Sequence, residues 1–187
     1  MKKSTLREWA EAIFVGFLLA MFVRTFFIQP FKIPTGSMKP TLKPGDKILV
    51  EKITYGPLIP FTSIRIPGKR RPKRGDIIVF RCPVDKGKYY IKRLIAVGGE
   101  TVLIKDGKIY INGKLITDPR ISKNFYTNEG AYGGYKPVKV PKGYYYVLGD
   151  NSPSSYDSRF WGFVPEGKVI GRAWLIFWPP KRIRLLR

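Results

Sequence analysis

The chain has 187 residues, with 35 Lys and Arg against 13 Asp and Glu, a formal net charge of +22, 44% hydrophobic residues and no histidine. Zero histidine removes Ser-His-Asp and Cys-His catalysis and histidine general bases, and the single cysteine, Cys82, excludes an intramolecular disulfide and a cysteine-rich zinc site. No two glycines stand two apart, so the dinucleotide fingerprint is absent; residues 162–168 imitate a phosphate loop, but Pro165 interrupts it and Val169 replaces the required hydroxyl.

In chain order the first element is residues 9–28, which follow Lys2, Lys3 and Arg7 and hold the apolar run Ile13-Phe-Val-Gly-Phe-Leu-Leu-Ala-Met-Phe-Val23. As a helix this segment spans about 30 Å, one hydrocarbon thickness. A membrane anchor, a cleaved secretory signal and a buried soluble helix compete for it. The anchor is favoured, because no Ala-x-Ala processing site follows and the run is long for a core helix. Glu11 and Arg24 fall near its two ends, within reach of the interfaces. Lys2, Lys3, Arg7 and the α-amino group favour a cytoplasmic N-terminus, with Arg24 and Lys32 opposing mildly. The expected organisation is a cytoplasmic tail at 1–8, a transmembrane anchor at 9–28 and an extracytoplasmic β-rich domain at 29–187, in a single-pass protein of the cell membrane.

Beyond residue 28 the pattern changes to strands at 48–50, 77–80, 90–97, 101–104, 144–148 and 169–178, with Gly and Pro at nearly every junction. Asp106-Gly107 and Asn112-Gly113 sit between short apolar runs, the signature of two-residue hairpin turns, so residues 100–117 should form a hairpin pair. Residues 54–74, Pro-rich and basic, and 124–141, rich in Gly and Tyr, read as long loops. The expected fold class is mainly β: an antiparallel, partly closed, barrel-like domain of about 160 residues carrying one N-terminal transmembrane helix.

The positive charge gathers in Arg65, Lys69, Arg70, Arg71, Lys73 and Arg74 and again in Lys181, Arg182, Arg184 and Arg187. Such runs could be solvated surface, or could meet an anionic lipid surface at about 1 kcal/mol per basic residue. Lipid is the favoured partner for an anchored chain, and no nucleic-acid partner is expected. The run at 173–180, Ala-Trp-Leu-Ile-Phe-Trp-Pro-Pro, fits a membrane interface and fits equally a core strand with alternate residues buried.

Catalytic options without histidine narrow to carboxylates, Lys, Ser, Thr, Tyr and Cys82, and neither Ser-x-x-Lys nor Gly-x-Ser-x-Gly occurs. A Ser-Lys dyad with distant members remains. Ser37 lies in Pro34-Thr-Gly-Ser37-Met-Lys-Pro40-Thr41, which alone reads as an ordinary turn.

Five ordered blocks make this segment more specific: residues 29–42 after the apolar run, Gly45-Asp-Lys-Ile-Leu-Val50, Arg74-Gly-Asp-Ile-Ile-Val-Phe80, Tyr90-Ile-Lys-Arg93 and residues 149–165, Gly-Asp-Asn-Ser-Pro-Ser-Ser-Tyr-Asp-Ser-Arg-Phe-Trp-Gly-Phe-Val-Pro. Together they resemble the type I signal peptidases, membrane-bound serine endopeptidases that remove signal peptides from exported preproteins. The resemblance implies an antiparallel β catalytic domain with an apolar surface on the membrane, no cofactor and no metal. It implies Ser37 as nucleophile, Lys92 as general base, and Thr35 with the Ser37 N–H as oxyanion donors. Ser155 would orient the lysine, Asp157 and Arg159 would form a bracing pair, and Asp150 would belong to the same loop. Phe31, Ile33, Met38, Leu42, Tyr90 and Ile91 would line shallow substrate pockets. Thr35 stands where many members carry serine, and one anchor replaces two. The competing reading from another class is a non-enzymatic, anchored, lipid-binding β protein.

The chemistry sets a condition on Lys92. Free lysine has a pKa of about 10.4, leaving about one amine in 2,500 neutral at pH 7, so burial must lower it to about 7–8. Arg93 stays protonated and could not serve as a base. Nine positions separate Ile28 from Ser37, so the serine must lie within about 32 Å of the anchor's end, a reach suited to substrates held at the bilayer.

Overall fold

The apolar N-terminal run forms a helix, α1 (Lys2–Phe26), in the computed structural model, which describes residues 2–59, 62, 64–133 and 136–186, with side chains from Thr5 onward. Within its stretch Thr5–Phe26 an 18-residue window has mean hydropathy 1.6, and none of that window is buried. A helix apolar around its whole circumference and packed against little else has the composition of a bilayer span. The side chains of Lys2 and Lys3, and all of Arg187, lie outside the described residues. α1 stops two residues short of the expected boundary, and Ile28 already begins a strand. The cause is local: Pro30 disfavours helical dihedrals at Gln29.

Among the described residues twelve strands follow: β1 (Ile28–Lys32), β2 (Lys47–Glu51), β3 (Ile77–Arg81), β4 (Tyr89–Val97), β5 (Thr101–Lys105), β6 (Lys108–Ile111), β7 (Lys114–Leu115), β8 (Val138–Lys139), β9 (Tyr144–Leu148), β10 (Val164–Pro165), β11 (Val169–Trp178) and β12 (Arg184–Leu185). All pair antiparallel, in a large sheet ordered β1-β2-β11-β3-β4-β9-β10, with β12 on β11, and a small sheet ordered β7-β6-β5-β8. The large sheet is a curled, open half-barrel, with β1 and β10 at its ends. Both hairpin turns form where the sequence places them: Asp106, Gly107, Asn112 and Gly113 all have positive φ, and Lys105 pairs with Lys108 and Ile111 with Lys114.

Three apolar clusters fill the domain. Ile48, Val50, Ile77, Val79 and Ile176 lie on one face of the large sheet. Ile78, Phe80, Leu94 and Val147 lie on the other, beneath Tyr55 of the 54–74 loop. Ile104, Ile109 and Ile111 of the small sheet pack on Ile95, Tyr146 and Leu148 of the large one. In β11 the two readings of the aromatic run divide, since Ala173 and Ile176 enter the core while Trp174 and Trp178 remain 39% and 49% exposed.

Several cations of the basic clusters are engaged within the fold. Arg65 donates to the carbonyls of Gly56 and Val169, Arg70 pairs with Asp76, Arg74 with Glu100 and Arg182 with Asp46, while Arg184 donates to the Thr41 carbonyl. These guanidiniums hold loops to the sheet because a forked donor satisfies backbone carbonyls that irregular segments leave open.

Two features relate the helix to the sheet. Lys52 Nζ donates to the carbonyls of Arg24 (2.9 Å) and Thr25 (3.0 Å), and the Lys52 N–H donates to the Phe27 carbonyl (2.8 Å). The last turn of a helix presents unpaired carbonyls and a negative dipole end, so a cation there is both donor and counter-charge. The pairing register then places Ile28, Glu51, Arg172, Ile78 and Lys92 on one rung. Four inter-strand steps separate the helix exit from Lys92, about 19 Å along the sheet.

Lys52→Met should loosen this joint: the distance distribution between spin labels at positions 18 and 114 should broaden, and Lys52→Arg should keep it narrow. An unchanged width in the methionine variant would mean that other contacts hold the helix.

Candidate active site

Ser37 sits on the irregular segment between β1 and β2. The segment is closed at its base by Ile33 N–H to Asp46 carbonyl (2.8 Å) and Gly45 N–H to Ile33 carbonyl (2.9 Å). It is pinned by Met38 and Leu42, each 0% exposed in the core. Setting a polar residue among buried apolar side chains fixes its backbone, since moving it would open a cavity. Lys92 comes from the middle of β4. Its Nζ donates to Ser37 Oγ at 2.7 Å, and the residues are 4% and 7% exposed.

That burial meets the condition on the amine. Desolvation lowers the Lys92 pKa to about 8, partly opposed by the charge of Asp157, assisted by Arg159 and opposed again by Asp150. At that value about one amine in ten is neutral at pH 7, a gain of over two orders of magnitude. The neutral amine can accept the Ser37 hydroxyl proton across the same 2.7 Å contact. Thr35 Oγ1 lies 3.5 Å from Ser37 Oγ on the exposed side.

The loop 149–159 closes over the pair through two buried ion pairs. Arg159 is 0% exposed; its Nε donates to Asp157 Oδ1 (2.8 Å), and its Nη2 donates to the carbonyls of Ser152 (2.7 Å) and Ser155 (3.1 Å). Asp157 Oδ2 also accepts from the Gly149 N–H (3.0 Å). Arg93, beside Lys92 in sequence, donates to both carboxylate oxygens of Asp150, at 2.7 and 2.6 Å, and to the Gly75 carbonyl at 2.8 Å. Such bidentate geometry is what makes burial of charge tolerable. Asn151 joins the loop to the Ser37 segment, its N–H donating to the Ser37 carbonyl (3.0 Å) and its Nδ2 to the Gly36 carbonyl (3.1 Å). Gly149 is required by contact: a Cβ there would fall 2.5 Å from the Ser37 carbonyl oxygen and 2.2 Å from Ser155 Oγ.

The structure therefore brings together Ser37, Lys92, Thr35, Asp150, Ser155, Asp157 and Arg159. Two expectations change. Ser155 is buried, but its Oγ has no hydrogen-bond partner among the described residues, and the bond expected from it to Lys92 is not formed; Lys92 Nζ engages Ser37 instead. Of the six expected pocket residues, Ile33, Met38 and Leu42 present almost no surface and are core residues behind the site, while Phe31, Tyr90 and Ile91 are half-buried and accessible. Arg93, Thr41, Asn151 and Gly149 were not singled out from the sequence. The signal for Arg93 was there, since an arginine inside an otherwise apolar strand needs a carboxylate partner. Thr41, whose hydroxyl donates to Asp150, and Asn151 act across 109 and 115 positions of chain and left no local trace. Among the described residues no group of three or more His, Cys, Asp and Glu could hold a metal ion.

Residues 6–178 match the family model described as "Signal peptidase, peptidase S26". The chain is 40% identical over 98% of its length to "Probable signal peptidase I-2" of Synechocystis sp., covering 78% of that protein, and 38% identical over 98% of its length to "Signal peptidase I T" of Bacillus subtilis, covering 91% of it. A crystal structure of a signal peptidase I from Enterococcus faecalis V583 aligns with a TM-score of 0.45 at 39% identity, covering 55% of this chain and 97% of that one.

Keeping an amine buried destabilises the fold while it is protonated. With a folded pKa of about 8 against 10.5 unfolded, the cost is fully present below pH 8 and disappears as pH rises through 10.5. Lys92→Met should therefore be more stable than the parent at pH 7, by about 1–3 kcal/mol in urea unfolding. That advantage should shrink between pH 8 and 10.5, and a pH-independent difference would assign the effect to packing.

Proposed function

Because the chain belongs to the signal peptidase S26 family, it is an endopeptidase that removes signal peptides from exported preproteins, and we propose that it does so with Ser37 as nucleophile and Lys92 as general base. The observation that carries this reading is the 2.7 Å contact between a buried serine hydroxyl and an amine whose pKa burial has brought to about 8.

Neutral Lys92 takes the Ser37 proton as Oγ attacks the scissile carbonyl carbon, and the carbonyl oxygen becomes an oxyanion. The Ser37 N–H and the Thr35 hydroxyl stabilise that charge, a contribution worth about 10²–10³ in rate per donor in comparable sites. The lysine ammonium then protonates the leaving amine as the C–N bond breaks. In the second half Lys92 deprotonates a water, which attacks the acyl ester, and Ser37 leaves with the proton. Asp157, Arg159 and Asp150 tune the amine by their charges, and the Ser155 carbonyl helps Arg159 hold the loop. They do not touch the reacting atoms.

Substrate enters as an extended strand beside β1, whose outer edge is unpaired among the described residues. Residues at −1 and −3 from the cut then face one wall, formed by Phe31, Tyr90 and Ile91. In this reading α1 anchors the chain at the bilayer with its N-terminus cytoplasmic and residues 29–187 on the opposite side, and exposed Trp174 and Trp178 lie against anionic lipid.

Ser37→Ala and Lys92→Ala should each abolish cleavage of a purified preprotein, the double variant should be no worse, and Lys92→Arg should be inactive, because the two groups act as one unit. Turnover at a tenth of the parent rate in any of them would refute the assignment. In a preprotein series varied at −1 and −3, kcat/KM should be highest with alanine at both positions. Equal cleavage after Ala, Leu and Lys would remove the shallow wall from the account.

A further inference from the structure

Between α1 and the sheet runs a groove of about 1000 Å³ that the peptidase chemistry does not use. Its lining is of two kinds. Phe17, Met21, Leu58, Ile59 and Ile170 supply apolar surface, and Arg24, Lys52 and Arg81 supply cations, with Lys52 drawn to Arg24 by its bond to the Arg24 carbonyl. No carboxylate lines it among the described residues, and neither Arg24 nor Arg81 is in an ion pair there. Lys52 uses two of its three N–H donors on helix carbonyls. Burial, and after it the charge of Arg24, hold the Lys52 amine below the usual lysine range, as expected where cations gather without a counter-ion.

The order of these residues along α1 matches a bilayer leaflet. Arg24 lies in the last turn, and Phe17 stands seven residues earlier, about 10 Å deeper along the helix axis. At that depth in a spanning helix the groove is closed to water, so its apolar part must be filled by apolar matter. At the level of Arg24 the same occupant meets Arg24 and Lys52, and Arg81 lines the same groove.

We propose that this groove is a binding site for a single anionic phospholipid, its acyl chain beside Phe17, Met21, Leu58 and Ile59 and its phosphate held by Arg24, Arg81 and Lys52. The inference rests on α1 spanning the bilayer, and it deepens the lipid contact proposed above by naming where one lipid is held. A bound lipid in this position fills the joint that Lys52 makes and supports the domain at a fixed height. Tyr89, which also lines the groove, stacks on Phe31 at 5.4 Å between ring centroids, so the site adjoins the expected substrate wall.

The test uses the full chain reconstituted in nanodiscs of mixed phosphatidylglycerol and phosphatidylcholine, with the lipid retained after ejection counted by native mass spectrometry. One phosphatidylglycerol should stay with each chain, in preference to phosphatidylcholine. Arg24→Gln/Arg81→Gln should lower its retention by about tenfold or more, and Arg24→Lys/Arg81→Lys should keep most of it. Removing two charges elsewhere, in Arg71→Gln/Lys181→Gln, should leave retention unchanged, and millimolar inorganic phosphate should not displace the lipid. Equal retention of phosphatidylcholine, equal loss in the control pair, or displacement by free phosphate would each overturn the proposal. Retention is read without any cleavage, so its failure leaves the peptidase assignment standing; a chain that does not insert into the nanodisc would overturn the anchor and the lipid site together.

Discussion

Lys92 Nζ has to be withheld from water without losing Ser37, and most of the domain's architecture can be traced to that requirement. An exposed lysine on a strand would be protonated and harmless. Here β4 is internal, between β3 and β9, and the 149–159 loop covers what the sheet leaves open. Desolvation is the largest influence on the amine, and the neighbouring charges partly cancel: Asp157 and Asp150 favour the ammonium, Arg159 opposes it. Had the loop supplied carboxylates alone, the lysine would stay protonated. Each acid is instead paired with its own buried arginine, and the charge of Arg159 works against the acids' pull on Lys92.

The cost of that arrangement falls on the loop. Two charged pairs are taken out of water and gain stability only through near-complete hydrogen bonding. Arg159 reaches the carbonyls of Ser152, Ser155 and Thr127 besides its carboxylate, and Arg93 reaches Gly75. A loop held this way has few alternative conformations, so Asn151 can position the Ser37 segment through two hydrogen bonds at its end. The orphaned Ser155 hydroxyl is the exception, a buried polar atom with unused capacity beside the nucleophile's carbonyl.

The same economy of charge explains the basic composition. Of the cations in the 65–74 and 181–184 runs, several close loops onto carbonyls or lone acids, and Lys52 closes the sheet onto α1. Arg24 and Arg81, which are in no ion pair among the described residues, line the groove between α1 and the sheet, the place proposed above for a lipid phosphate.

Periodicity and turn chemistry were enough to locate β2 to β5, β9 and β11, both Asp-Gly and Asn-Gly hairpins and the apolar helix, because these depend on contacts within a few residues, but not β1 or the two-residue strands β8, β10 and β12, whose pairing is set by distant partners. The ordered blocks pointed to Ser37 and Lys92, and pKa arithmetic stated in advance what the lysine's surroundings had to do. Alternation could not tell whether Lys92 or Arg93 faced the serine, nor that Met38 and Leu42 belong to the core behind the site, because burial depends on which strands become neighbours. Ser37 and Lys92 meet across 55 positions, and Arg93 and Asp150 across 57. Such pairs arise from sheet order and register, which no local stretch of sequence encodes. Only the folded sheet decided that the helix exit and the lysine share one rung, and that the arginines of a strongly basic chain are largely occupied in holding its loops.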